Sequence, residues 1–514
     1  MHPFSHITKH FNTTLAKSFC VIFLSTLNYG FDNQGFGTTQ AMTPFAKQFG
    51  EYNEKTKKYA LLTYWLSLFD SLNYIGFAVG VIIGSLVSAR WGRRMCIFAM
   101  SCWALVSAAI VISSETRGQI LTGRILFYIY IGMELSVMPI FMSEIMPAPI
   151  RGITVGSYQF SLVTGGLIVN CIARGTSTLT SNAAWRIPMG LFFVVPVIII
   201  CVVWFIPESP LWLLTKERTE EARENLQKLR QGTLTNEEIE AEFEFLQTSL
   251  RSMPEQGKWV ELFSKINRKR TAVVIGVNIF QQVTGQAFVS SYSSIFIAGL
   301  GTVNAFTMAV VNLSCYLVTM GIGLYLNDRI GRRPLLLISG GVQFAAIMTM
   351  GGLGLVDDPS YSVKVAIVSM VTIFGCGFIF AWAPLTYVVT TEVAPLRLRD
   401  ATQRTASIVN VFFQFVVNFT IPYLLYAPYA NLNSKVGFIF GAFSFLAIVF
   451  TYFCIPECKG KSLEEIDVLF HQVVPLRKFG SFRSEDIELE SDSKQNKGMV
   501  ISVTEADHRE FREA

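Results

Sequence analysis

Pro207-Glu208-Ser209-Pro210 opens the one long polar stretch of a mostly apolar chain. The stretch runs through Lys216-Glu217-Arg218-Thr219-Glu220-Glu221-Ala222-Arg223 and ends at Arg268-Lys269-Arg270. On either side lie blocks of similar size, built of long apolar runs, and each carries the same punctuation in the same order. Arg90-Trp91-Gly92-Arg93-Arg94 is echoed by Arg329-Ile330-Gly331-Arg332-Arg333. Glu144-Ile145-Met146-Pro147 is echoed by Glu392-Val393-Ala394-Pro395, each Glu being followed seven residues on by an arginine, Arg151 or Arg399. Pro207-Glu208 is echoed by Pro456-Glu457. The offsets are 239 residues (Gly92 to Gly331), 248 (Glu144 to Glu392) and 249 (Pro207 to Pro456). Ordered echoes at nearly one spacing are a repeat, and two membrane halves related by repetition are the plan of a secondary transporter.

Composition points the same way. Of 514 residues, 51% are hydrophobic and 15% charged, with mean hydropathy +0.43. A soluble domain carries about 25% charge. Runs of the length needed to cross a bilayer, about 20 residues, lie near 18–38, 68–88, 95–113, 118–143, 153–173 and 185–206, then 270–298, 303–326, 335–356, 363–391, 402–427 and 434–455. Only helices can span in segments of this kind. The expected fold is therefore an all-α membrane protein of twelve transmembrane helices in two six-helix bundles. The expected organisation is a tail at 1–17, a first bundle at 18–206, a linker with short amphipathic helices at 207–269, a second bundle at 270–455 and a tail at 456–514.

The net charge of +5 is unevenly placed. Loops after the even-numbered spans hold Arg90, Arg93, Arg94, Arg151, Arg329, Arg332, Arg333, Arg397 and Arg399. The positive-inside bias puts both termini and the linker in the cytoplasm. The basic clusters are short and lie between spans, which excludes nucleic acid as a partner. The lipid bilayer is the expected one. Nine cysteines without a C-x-x-C read as packing residues, with no metal site or cofactor expected. All five histidines lie in the tails, so none can relay a proton within the membrane.

Polar residues inside spans mark a functional interior, because they are expensive in lipid. Span 1 carries Asn28, Asp32, Asn33 and Gln34. Span 4 carries Arg124 and Glu134, and span 5 carries Gln159. Span 7 carries Gln281, Gln282 and Gln286, with Gln282 and Gln286 four apart on one helical face. Span 10 carries Tyr387, and span 11 places Asn410 and Gln414 on one face. Amides offer paired donors and acceptors to hydroxyls, and aromatic rings pack against the C–H face of a sugar. Gln159, Gln281, Gln282, Gln286, Tyr387, Asn410 and Gln414 are therefore expected to converge on a neutral polyhydroxyl ligand. For proton coupling the candidates within spans are Asp32 and Glu134, the latter reading as a buried structural acid. Asp70 is placed at the outer end of span 2.

Together, Pro207-Glu208-Ser209-Pro210, Gln281-Gln282-Val283-Thr284-Gly285, Asp328-Arg329-Ile330-Gly331-Arg332-Arg333 and Pro456-Glu457-Cys458-Lys459-Gly460-Lys461-Ser462 resemble the sugar porter family of the major facilitator superfamily over nearly all of 18–470. The overall look resembles sugar transporters of filamentous fungi. The resemblance implies sugar transport by alternating access by a functional monomer in the plasma membrane, and no enzyme activity. It implies that Gln159, Gln281, Gln282 and Asn410 contact the sugar and that Asp32 and Arg124 couple it to a proton. Arg93, Glu144, Arg151 and Glu208 are expected to form gating ion pairs at one end of the first bundle, as are Arg332, Glu392, Arg399 and Glu457 in the second. The chain departs from the family pattern with Ala89 in place of an Asp, Ala287 in place of an Asn, and Tyr387 in place of a Trp. The expected activity is proton-coupled import of a monosaccharide, a hexose or pentose. The alternatives are a sugar uniporter, a carrier of a disaccharide or of a carboxylate such as quinate, and a sugar sensor.

Overall fold

A computed structural model of the chain describes residues 9–54, 57–251, 257–265, 267–461, 463–472 and 474–481. Among these, twelve long helices form the body. Spans 1 to 6 are Thr13–Gln40, Thr63–Trp91, Arg93–Ile112, Arg117–Ile145, Ala148–Thr176 and Ala183–Phe205. Spans 7 to 12 are Arg268–Leu300, Ala305–Ile330, Arg332–Leu353, Tyr361–Val393, Arg399–Leu425 and Asn433–Cys454. Ten of them are long and apolar enough to cross a membrane by themselves. Span 1 falls short because Asn28, Asp32, Asn33 and Gln34 dilute its apolar run.

Local chemistry sets the helix ends. Asn12 caps span 1, its Oδ1 accepting Leu15 N–H at 2.7 Å. Thr116 and Gln119 form a capping box at the start of span 4. Gly92 (φ 95°) and Gly331 (φ 110°) join spans 2–3 and 8–9 in a backbone conformation that other residues rarely adopt. Span 2 is broken at Leu72, between Thr63–Ser71 and Asn73–Trp91. Span 7 is broken at Gly285 (φ 104°) and resumes with a wide turn at Phe288–Tyr292. A second wide turn, Phe378–Trp382, interrupts span 10. Such turns concentrate at functional sites.

The linker forms helices Pro210–Thr215, Thr219–Arg230 and Asn236–Arg251, with a small core of its own around Trp212, Leu226 and Phe243. They are tied to the first six spans. Arg230 Nη1 donates to the Ile145 carbonyl at 2.8 Å, and Asn12 Nδ2 donates to the carbonyls of Lys228 and Gln231. Beyond span 12, helix Leu463–His471 is held to the start of span 7 by the Arg270–Asp467 ion pair.

Between described residues, the hydrogen bonds that join spans of opposite halves lie at a central cavity and at the end remote from the linker helices. Ser67 Oγ donates to the Phe419 carbonyl at 2.6 Å and Arg174 Nε to Thr307 Oγ1 at 2.7 Å, while Thr38 Oγ1 and Ser294 Oγ lie 3.4 Å apart. Towards the linker end Tyr387 is 46% exposed although it sits within span 10. The halves thus close at the far end and part at the linker end.

Candidate functional site

Two polar clusters sit in the middle of the spans. The first belongs to spans 1, 2 and 4. Arg124 Nη1 donates to Asp32 Oδ1 at 2.9 Å, and both side chains are buried. The guanidinium carbon stacks 3.4 Å from the centroid of the Phe36 ring, and Arg124 Nε donates to the Phe69 carbonyl at 3.2 Å. The cation is thereby fixed by a partner, a ring and a backbone dipole at once. Asp70 lies in the same cluster, with Gln40 Nε2 donating to its two oxygens at 3.1 and 3.0 Å. The reading that put Asp70 at the outer end of span 2 is corrected here. That span starts at Thr63, so Asp70 lies seven residues in, two before the helix break at Leu72, and lines the central cavity.

The second cluster is an amide knot on spans 7 and 11. Asn410 Nδ2 donates to Gln281 Oε1 at 2.6 Å and to Asn278 Oδ1 at 3.2 Å. Gln282 Nε2 donates to Asn410 Oδ1 at 3.1 Å, and Gln281 Nε2 to the Ala383 carbonyl at 3.4 Å. Gln282 Oε1 is buried with no donor, an arrangement that leaves an acceptor for a ligand hydroxyl. Tyr387, on the open side, is the exposed neighbour of this knot. Gln159 is half-buried on span 5 and makes no hydrogen bond within the knot.

Gln282 and Gln286 lie on either side of the break at Gly285 (φ 104°), and they divide as Asn410 and Gln414 do: Gln282 belongs to the knot and Gln286 to a cavity. Gln286 lines that cavity with Asp32, Asp70, Arg124, Tyr74, Ser291 and Gln414, and its void admits only a water molecule or two. Asn410 and Gln414, on an unbroken helix, keep their shared face, one in the knot and one at the cavity. The cavity is where the two halves meet: Asn418 Nδ2, on span 11, donates to Tyr74 Oη at 3.4 Å.

Glu134 has a partner that its sequence neighbours do not reveal. Tyr158 Oη donates to its Oε2 at 2.7 Å, while Oε1 is buried without a donor.

At the linker end the repeat becomes geometry. Arg93 pairs with Glu144 (Nη2–Oε1 2.7 Å) and Arg332 with Glu392 (2.9 Å). Glu208 and Glu457 were expected in ion pairs. Instead, the oxygens of Glu208 accept the backbone N–H groups of Arg93 and Arg94 at 3.0 Å each. Those of Glu457 accept Arg332 and Arg333 N–H at 3.1 and 3.0 Å. A helix start leaves unpaired N–H donors and a positive dipole end, both of which a carboxylate satisfies. Burial pushes the Glu208 carboxyl above its ordinary range, and these N–H groups pull against that rise. Arg399 is exposed and makes no ion pair with a described residue. The Arg151 side chain lies outside the described residues.

Residues 17–470 match the family described as sugar (and other) transporter. The chain belongs to that family. It is a multi-pass membrane transporter of the major facilitator fold and not an enzyme. The hexose transporter HXT13 of Saccharomyces cerevisiae is 28% identical over 447 residues, which are 84% of this chain and 78% of the relative. The high-affinity glucose transporter ght2 of Schizosaccharomyces pombe is 28% identical over 488 residues, covering 91% and 90%. The solved inward-open xylose transporter XylE of E. coli superposes with a TM-score of 0.72 over 88% of this chain and 99% of that one, at 20% identity. The likeness to XylE carries the fold.

Proposed function

We propose that this transporter imports a monosaccharide, a hexose or a pentose, together with a proton, across the plasma membrane. The observation that carries this reading is one cavity that holds both kinds of group. A buried carboxylate–arginine pair and the amides Gln286 and Gln414 line it, and Gln414 is one helical turn from Asn410 of the Gln281–Gln282–Asn410 knot. A neutral polyol needs the amides, and a proton needs a carboxylate whose environment changes as the halves rock. The names of the yeast relatives, which are hexose and glucose transporters, support the sugar class.

In this reading the linker, both termini and the open end face the cytoplasm, in keeping with the arginine-rich loops there. The bundles are 18–206 and 270–455, the protein works as a monomer, and Gln159 and Tyr387 complete the sugar site from spans 5 and 10. The Arg93–Glu144 and Arg332–Glu392 pairs, with Glu208 and Glu457, stiffen each bundle where the gate opens. Arg151 and Arg399 join them when the linker end closes. Uptake of labelled hexoses, pentoses and disaccharides by whole cells names the sugar. Sugar-driven proton uptake into proteoliposomes tests coupling. Wild type should take up protons with sugar, and Asp32→Asn should lose net accumulation. A wild type that moves sugar and no proton is a uniporter.

A further inference from the structure

The cavity beside Arg124 holds more acid than a coupling pair requires. Asp32 and Asp70 both line it, and Arg124 is the one cation among its lining residues. That guanidinium touches both sides: it donates to Asp32 and to the carbonyl of Phe69, the residue before Asp70. Asp70 is 5% exposed, and its named donor is a neutral amide, Gln40. The other titratable groups around the two acids are phenols: Tyr74 and Tyr128 in the lining, Tyr29 on span 1 and Tyr292 from span 7.

With both carboxylates ionised, one negative charge would stand uncompensated in a closed pocket. Burying such a charge costs more than binding a proton. The hydrogen bonds tell the same story. The Tyr128 hydroxyl lies by Asp32, yet Asp32 Oδ2, Gln40 Oε1 and Asn73 Oδ1 lack a protein donor at full hydrogen-bond geometry. Acceptors outnumber donors around the two acids, which suits a proton held there. Turning the Gln40 amide over would present its oxygen to a proton on Asp70, because the two ends of that group nearly coincide in shape.

We infer that Asp32 and Asp70 form one coupling unit that holds a single proton against Arg124, with Gln40 as the group that receives it on the Asp70 side. The inference rests on the proton-symport reading above and sharpens it. Two acids sharing a cation titrate as a pair, and the proton belongs to neither alone. Removing either acid leaves a neutral ion pair with nothing to release.

The test uses the full chain in proteoliposomes. Asp70→Asn should lose sugar-induced proton uptake as completely as Asp32→Asn, and Asp70→Glu should restore it. Sugar counterflow, which needs no net proton movement, reports that each variant is folded and rocking. Asp70→Asn protein that takes up protons with sugar like wild type would overturn the inference and leave Asp32 as sole carrier. A second readout does not depend on transport. The infrared C=O stretch of a protonated carboxyl in the sugar-free protein at neutral pH should contain a component that both Asp32→Asn and Asp70→Asn remove. Glu134→Gln, which reports on the other buried acid, should leave that component in place. A component that survives Asp70→Asn also overturns the inference. A wild type that moves no proton fails the symport reading instead, and the infrared result still decides whether the two acids share a proton.

Discussion

Glu208 closes the start of the helix that Arg93 begins. Its two oxygens accept the N–H groups of Arg93 and Arg94, and Gly92 is the residue that lets the chain turn beneath them. Glu457, Arg332 and Gly331 repeat this arrangement in the second half. A side chain at Gly92 would collide with Glu208 Oε2, and one at Gly331 with Glu457 Oε2. Gly92→Ala and Gly331→Ala should each destabilise the protein by about 1–3 kcal/mol, from strained backbone and a displaced cap. Thermal melting of the purified variants checks this. Alanine variants that melt like wild type would show that the cap is dispensable.

The ion pairs above these caps act within one half each. Arg93 and Glu144 are 15% and 7% exposed, so their pair is partly shielded from solvent. Glu144→Gln should cost about 1–3 kcal/mol, in the range of charge-assisted hydrogen bonds. Adding Arg93→Gln should cost little more, since the partner is already gone. A double-mutant cycle with no coupling would make the pair decorative.

The amide knot gives the third prediction. Asn410 serves Gln281 and Gln282 at once, so the three are coupled before any sugar arrives. Gln281→Ala and Gln282→Ala should each raise the apparent KM by an amount equivalent to about 0.5–1.5 kcal/mol, with normal surface expression. The Asn410→Ala effect should not add to theirs, because contacting residues fail additivity. Unchanged KM in both Gln variants would move the sugar elsewhere.

How far the sequence could be read depends on the kind of signal. The repeat was legible because Gly92 and Gly331, Glu144 and Glu392, and Glu208 and Glu457 are local punctuation, and local geometry follows from local residues. The Asp32–Arg124 contact spans 92 positions and followed only from the family resemblance. Asp70 was misplaced because the apolar run was started at 68. The five residues from Thr63 carry Tyr64 and Trp65, amphipathic side chains that blur a span boundary. The break at Gly285 had no signal beyond the glycine itself, and it separates Gln282 in the knot from Gln286 at the cavity. The Tyr158–Glu134 contact had no signal at all, since nothing in a sequence says which phenol a buried acid will meet.

That contact carries the fourth prediction. Tyr158→Phe takes the donor from a buried carboxyl oxygen and should destabilise by about 1–3 kcal/mol. Glu134→Gln keeps an oxygen that can accept from Tyr158 and should melt closer to wild type. Thermal melting ranks the two. The reverse order would mean that Glu134 itself, rather than its hydrogen bond, holds spans 4 and 5 together.

The last prediction concerns the closed end. Thr38 Oγ1, near the end of span 1, lies 3.4 Å from Ser294 Oγ on span 7, and both residues are buried. Side chains that meet across the two halves are a natural pair to cross-link through a disulfide. All nine native cysteines are free, so the new pair is best placed in a background without them. A protein with Thr38→Cys and Ser294→Cys should form an S–S bond under mild oxidation, confirmed by mass spectrometry. The bond would pin span 1 to span 7 at the end that must open to admit sugar. Uptake should therefore be lost on oxidation and recovered on reduction, while either single variant responds to neither. A reagent confined to the cytoplasmic side should still reach a cysteine placed at Tyr387, since the linker end stays open in the locked form. Full uptake by the cross-linked protein would mean that the halves do not separate there, and that rocking about the central cavity is the wrong description of its cycle.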